Sequence, residues 1–194
     1  MITSASVARK LCLNCGLCCN GVLFKDVELQ PGDDARKLAT LGLPLTPRRS
    51  GGKEAPASSK DLSLGAPAAT KFAQPCPALC AGNRCRIYAD RPTRCRDFEC
   101  ALFKSVAAGE KAVPAALRTI RTALRRAEKV RKLLRSLGNT DEAVALSLRF
   151  KHTRRRIESG VIDKPTASTF ADLSIAQHDL NLLLARSFYP GGPR

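Results

Sequence analysis

Apolar residues follow two different patterns along this 194-residue chain, and the change falls just after Cys100. Between Ala115 and Leu137 they recur at steps of three and four, at Leu117, Ile120, Leu124, Ala127, Val130, Leu134 and Leu137, which is the stripe of an amphipathic helix. Gly138 is its expected stop. A second helix is expected from Thr140 or Asp141, carrying Val144, Leu146 and Leu148 and ending by Gly160. A third follows Pro165 and lines Phe170, Leu173, Leu180, Leu183 and Leu184 along one side. Three helices with short connections predict a small bundle, or a sleeve packed on whatever precedes it.

The first hundred residues show no such period. Val22-Leu23-Phe24 reads as a short strand, and Pro31-Gly32 then breaks the chain ahead of a short helix. In that helix Asp33 is the expected cap, with Ala35, Leu38, Ala39 and Leu41 as the apolar side and Gly42 as the stop. From about 45 to 70 the chain is Pro, Gly, Ser, Ala and charge, a composition that predicts a flexible loop. Gly82-Asn83 predicts a turn that delivers Cys85, followed by an extended Arg86-Ile87-Tyr88. Asp90 reads as a helix cap with Pro92 near the first helical position, and Cys95 and Phe98 would then share a face.

Eight of the nine cysteines stand in two clusters, Cys12, Cys15, Cys18, Cys19 and Cys76, Cys85, Cys95, Cys100. Thiolates two residues apart can be turned onto one centre by a tight loop, and Gly16 supplies the positive φ that such a loop uses. Thiolate donors select zinc or iron–sulfur over magnesium or calcium. Adjacent side chains such as Cys18 and Cys19 diverge, so two centres or one polynuclear cluster are expected. Cys12, Cys15 and Cys18 repeat the first three ligands of a bacterial ferredoxin run, completed there by a remote cysteine, and Cys19 would join three of the later cysteines. Two structural zinc sites fit the same spacing. Cys80 reads as a spare thiol, a substitute ligand or a small buried residue.

Disulfides fit less well, because the count is odd and no export signal precedes the first cluster. A reducing, cytoplasmic setting keeps thiols available as ligands. No stretch reaches the roughly twenty apolar residues of a membrane span. There is no Trp, with two Tyr and seven Phe, so the aromatic core is thin. A structural zinc site, with about 10–16 kcal/mol of apparent binding free energy coupled to folding, can make up the difference locally. The fold class expected is mainly α, with a small irregular cysteine-rich, metal-stapled module (1–103, at most short β segments) and a basic helical region of about three helices (104–194).

The run Cys12-x-x-Cys15-Gly16-x-Cys18-Cys19, then Cys76-Pro77-x-Leu79, then Cys85-x-Ile87-Tyr88-x-x-Arg91-Pro92-x-x-Cys95-Arg96-x-Phe98-x-Cys100 resembles the zinc- or iron-chelating family named for its CxxCxxCC motif, the YkgJ-like cysteine cluster proteins. Cys80 is extra to that pattern, and Ala78 stands where a bulky apolar residue is usual. The resemblance implies chelation of zinc or iron in a bacterial protein. It is similar also to the cysteine-rich part of flagellin lysine methylases, where an iron–sulfur cluster is implied. Tyr88, Arg91, Arg94 and Arg96 lie beside the second cluster, where guanidinium groups would stabilise a negatively charged tetrathiolate centre.

The net charge is +16, which favours acidic partners. Arg118, Arg121, Arg125, Lys129, Lys132 and Arg135 form a stripe beside the apolar one, and Arg154-Arg155-Arg156 adds a cluster. Such a face can follow nucleic-acid phosphates, although a charged face is ordinarily a solvated one and base-stacking aromatics are missing from it. His152 and His178 have no carboxylate at suggestive spacing, and no phosphate loop, nucleotide fingerprint or nucleophile motif is present. The expectation is therefore a metal binder through eight thiolates, more a binding protein than an enzyme, with a zinc-scaffolded nucleic-acid binder as the alternative.

Overall fold

The computed structural model describes residues 4–47, 70–161 and 163–189, and most of the expected 45–70 loop lies outside them. The chain is mainly α, with seven helices and only short strands among the described residues. In order these are α1 (Ser4–Cys15), β1 (Asp26–Glu28), α2 (Ala35–Thr40), β2 (Thr46–Pro47), β3 (Thr70–Ala73), β4 (Leu79–Cys80), β5 (Arg84–Cys85), α3 (Thr93–Asp97), α4 (Ala101–Ala107), α5 (Val113–Ser136), α6 (Leu146–Glu158) and α7 (Lys164–Ser187). No helix of the described residues is long and apolar enough to cross a membrane.

The long helices form where the periodicity puts them. In α5 the buried line is Ala116, Ile120, Ala123, Ala127, Val130 and Leu134, and Gly138 ends the helix region with φ +78°. Only Gly takes that left-handed conformation at little cost. In α7 the Asp163 carboxylate accepts from the Thr166 N–H, Pro165 sits in the first turn, and Leu173, Ala176, Leu180 and Leu184 are buried. The second helix starts later than expected, at Leu146. Asp141 Oδ1 accepts from the Ala143 N–H (3.1 Å), a side-chain turn that competes with helix, and the Leu146 N–H donates to Gly21 O (2.9 Å).

Two helices were not foreseen. α1 supplies Val7 and Leu11, and α4 supplies Leu102, Phe103 and Val106, to one core with α5, α7, Leu17, Val22 and Leu23. One apolar core is thus shared by elements on both sides of residue 103. A second, smaller core joins Val27, Leu38, Leu43, Phe72, Ala78 and Ile87. The three-stranded antiparallel sheet β1-β3-β2 sets Val27 opposite Phe72, so its one covered face feeds that smaller core. Gly82 (φ +68°) and Asn83 (φ +55°) turn β4 into β5 as the sequence suggests.

Several local expectations are corrected. The strand is Asp26–Glu28, while Val22 and Leu23 lie in bends that bury their side chains in the larger core. α2 is capped by Asp34, which accepts from the Lys37 N–H, because Asp33 is drawn elsewhere. Asp90 does not cap α3; it meets Lys37 Nζ at 2.6 Å, and Pro92 precedes the helix. Phe98 leaves α3 in extended geometry (φ −72°, ψ 117°) and packs edge-on against Phe24 at 4.8 Å, in the larger core, while Cys95 packs on the smaller one. The two share no face.

Arg149 of α6 is buried, at 2% exposure, and binds Glu142 Oε2 (2.7 Å), Asn139 Oδ1 (3.1 Å) and Asn139 O (2.7 Å). This ties α5, its exit turn and α6 together. Burial opposes the charge of Glu142, but hydrogen bonds from Arg149 and Arg135 outweigh it and hold the carboxyl below its ordinary value. Arg149→Ala should cost about 1–3 kcal/mol in urea unfolding at neutral pH, because the Asn139 acceptors lose their partner. A carboxyl depressed in the folded state loses its stabilising contribution as pH falls through its folded pKa. The gap between wild type and variant should therefore narrow below about pH 4.

Candidate metal centre

Cys12 and Cys15 lie three residues apart at the C-terminal end of α1, not in the tight loop expected for the whole run. Gly16 (φ +66°) ends the helix, and its carbonyl accepts from the N–H groups of Cys19 and Asn20, both at 2.9 Å. That turn carries Cys18 and Cys19. A Cβ on Gly16 would meet Asn83 Oδ1, so any other residue there must displace the Asn83 side chain from Leu13 O as well as take the positive φ. Asn83 Nδ2 donates to Leu13 O (3.0 Å), which docks the β4–β5 hairpin on the end of α1.

The second cluster is held by long-range bonds. The Cys76 N–H donates to Cys19 O (2.7 Å), joining the clusters through backbone. Asp33 Oδ1 accepts from the Thr93 N–H and Oγ1 (2.8 Å each), and Oδ2 from the Gln30 N–H (2.8 Å), which fixes the start of α3 and so Cys95. Cys100 caps α4, its sulfur accepting from the Phe103 N–H at 3.4 Å; burial raises its thiol pKa, and the backbone N–H groups at the α4 start offset that only in part.

The eight sulfurs divide into two sets. Cys15, Cys18 and Cys100 pack against the larger core, and Cys76, Cys85 and Cys95 against the smaller. Electrostatics divides them the same way. Cys12, Cys15, Cys18 and Cys100 repel one another as thiolates, Cys19 feels Cys76, Cys95 and Cys85 most strongly, and the sets touch through Cys18–Cys19 and Cys12–Cys19. Burial is the first cause wherever a thiol pKa is raised; it pushes Cys15 and Cys19 up to about 12 and Cys95 to about 11, with neighbouring thiolates adding to it. Among the described residues no three His, Cys, Asp or Glu side chains are closed tightly enough to hold one ion as they stand, so each set is gathered but open. All nine cysteines are unpaired; Cys80 is exposed, with its sulfur toward Ala78 O at 3.8 Å.

Around the sulfurs, Arg91 Nε donates to Tyr88 O (3.0 Å) and the guanidinium lies 3.8 Å from the Tyr88 ring centroid. Burial and neighbouring sulfurs raise the Cys12 and Cys95 thiols, and Arg91 pulls both back, one from each set. Arg96 instead donates to Thr93 Oγ1 (3.0 Å) beside Asp33, and Arg94 is exposed. Two neighbours were missed by sequence reasoning. Arg86 donates to Leu41 O (3.1 Å) and lowers the Cys76 thiol against the raising effect of burial. Tyr189 donates to Leu23 O (2.9 Å), with its hydroxyl pKa raised by burial and then by Cys18. The only sequence signal for it was an aromatic pair, Phe188-Tyr189, past the third helix.

Of the basic residues, Arg118, Arg121, Arg125, Lys129 and Lys132 are exposed on α5. Arg154 pairs with Glu158 at 3.2 Å, Arg156 donates to Leu137 O, and Arg155 is exposed. His152 and His178 are both exposed.

A mainly α scaffold that gathers eight thiols beside its two hydrophobic cores defines a cysteine-rich protein with soft-metal donor chemistry. Residues 11–112 match the CxxCxxCC family model, described as "Putative zinc- or iron-chelating domain", and the chain belongs to that family. Comparisons with curated proteins and with solved structures each found no match.

Gly16→Ala should destabilise the protein by more than about 1 kcal/mol, from positive φ alone. Combining it with Asn83→Gly should cost less than the two single changes summed, by about 0.5 kcal/mol or more, since the second removes the clashing atom. Strict additivity in chemical unfolding would show that the Gly16–Asn83 contact does not matter.

Proposed function

We propose that the chain binds metal at two adjacent four-thiolate centres, one formed by Cys12, Cys15, Cys18 and Cys100 and the other by Cys19, Cys76, Cys85 and Cys95. The observation that carries this reading is the division of six sulfurs by packing, which electrostatics matches and extends to Cys12 and Cys19. The donor set is all sulfur, which suits zinc ions or iron–sulfur clusters. In the first set Cys100 takes the part of the remote fourth ligand after a ferredoxin-like run. A bound metal would take the sulfurs as thiolates and so would displace the protons that burial favours on Cys15 and Cys19.

The remaining residues of the site answer the charge that four thiolates carry. Arg91, steadied by Tyr88, faces both sets; Arg86 serves the second; the α4 N-terminus serves Cys100. Residues 1–103 do the binding and the helical part from 104 braces them through the shared core. Unpaired thiols throughout suit a reducing compartment, and we assign the chain to the cytoplasm on that ground.

Anaerobic purification followed by elemental analysis and an absorption spectrum on one sample tests the reading. Two zinc equivalents in a colourless sample, or iron with acid-labile sulfide and visible absorption, would support it. Metal-free, folded protein would overturn it. Cys15→Ser and Cys95→Ser should each lose about half of the bound metal, from different centres, while Cys80→Ser retains all of it. Equal metal content in the three variants would refute the assignment of ligands.

A further inference from the structure

The structure separates the cations of the helical region into used and unused. Arg131 and Arg135 meet Glu128 and Glu142, Arg149 meets Glu142, Arg154 meets Glu158, and Arg126 donates to Asp179 O. Arg118, Arg121, Arg125, Lys129 and Lys132 have no acidic partner among the described residues. At 3.6 residues per turn these five fall within an arc of about 80°, diametrically opposite the buried line of α5. The row runs about 21 Å at 1.5 Å per residue. Glu128 is the only acid in α5, and Arg131 and Arg135 already engage it.

A straight row of long cations, whose one neighbouring acid Glu128 is already engaged by Arg131 and Arg135, repels itself and is matched by a rigid line of negative charge. We propose that the outward face of α5 binds the phosphate backbone of a nucleic-acid duplex, without reading sequence. Single strands are held by aromatic stacking platforms, and no Phe, Tyr or Trp occurs anywhere in α5. Base readout needs side chains that reach edges in a groove, whereas phosphate contacts need only a spaced row of cations. This face lies outside the cysteine sets, so the inference does not depend on which metal they hold.

The test is titration of labelled DNA and RNA duplexes of unrelated sequence with the purified full chain, at salt from 50 to 200 mM. Five phosphate contacts give a slope of log K against log salt of about −4.5, an affinity loss of about 500-fold over that range. Replacing Arg121, Arg125 and Lys129 together by Gln should cut the slope to about −1.8 and the loss to about 12-fold, with metal content and helicity unchanged. The Arg121→Lys/Arg125→Lys variant, which keeps the charge, should keep the steep slope. A wild-type slope shallower than −2, an unchanged slope in the Gln variant, or tighter binding to polyglutamate or anionic vesicles than to duplex would overturn the proposal.

Discussion

Everything around the cysteines depends on one turn. Cys18 and Cys19 are neighbours in the chain, yet Cys18 packs on the larger core and Cys19 faces the sulfurs of the smaller one. The turn that permits this hangs on Gly16, whose positive φ ends α1 and whose missing Cβ leaves room for Asn83. A larger and a smaller hydrophobic core, each with sulfurs packed against it, are thereby joined. Each core takes its sulfur-bearing segments as part of its wall, so thiol position and core packing are one problem.

The helical part closes this arrangement from outside. The Ala101 N–H, next to Cys100, donates to Phe188 O, Tyr189 reaches Leu23 O, and Phe188 is buried at 1% exposure. The end of α7 thus grips both flanks of the first cysteine set, and α1 lies against α5 in the same core. Helices that carry none of the cysteines thus help to determine how Cys12, Cys15, Cys18 and Cys100 are presented. The polar network around Arg149 stiffens that support at its far end, where α5 turns into α6.

Much of this was readable locally. The three long helices follow from apolar spacing, the stop at Gly138 and the Gly82-Asn83 turn follow from backbone freedom, and the eight cysteines follow from their own spacing. What was misread has a common cause. α1 carries few apolar residues, and its first buried pair, Val7 and Leu11, becomes meaningful only against α5. Asp33 and Asp34 are equally good caps in sequence, and the choice is made by Thr93, sixty residues away. Asp90 was drawn from its expected cap by Lys37.

The sequence by itself determined the donor chemistry, the number of thiols and the helical class, because these depend on residue type and on spacing within a few turns of chain. Only the tertiary structure decided which sulfurs keep company. Cys100 sits five residues from Cys95, yet it joins Cys12, Cys15 and Cys18, more than eighty residues away. Phe98 explains this. By leaving α3 in an extended conformation and seating its ring on Phe24, it carries the chain from the smaller core to the larger one between the two cysteines. That choice is made by burial of two aromatic rings, a non-local term that no spacing rule contains.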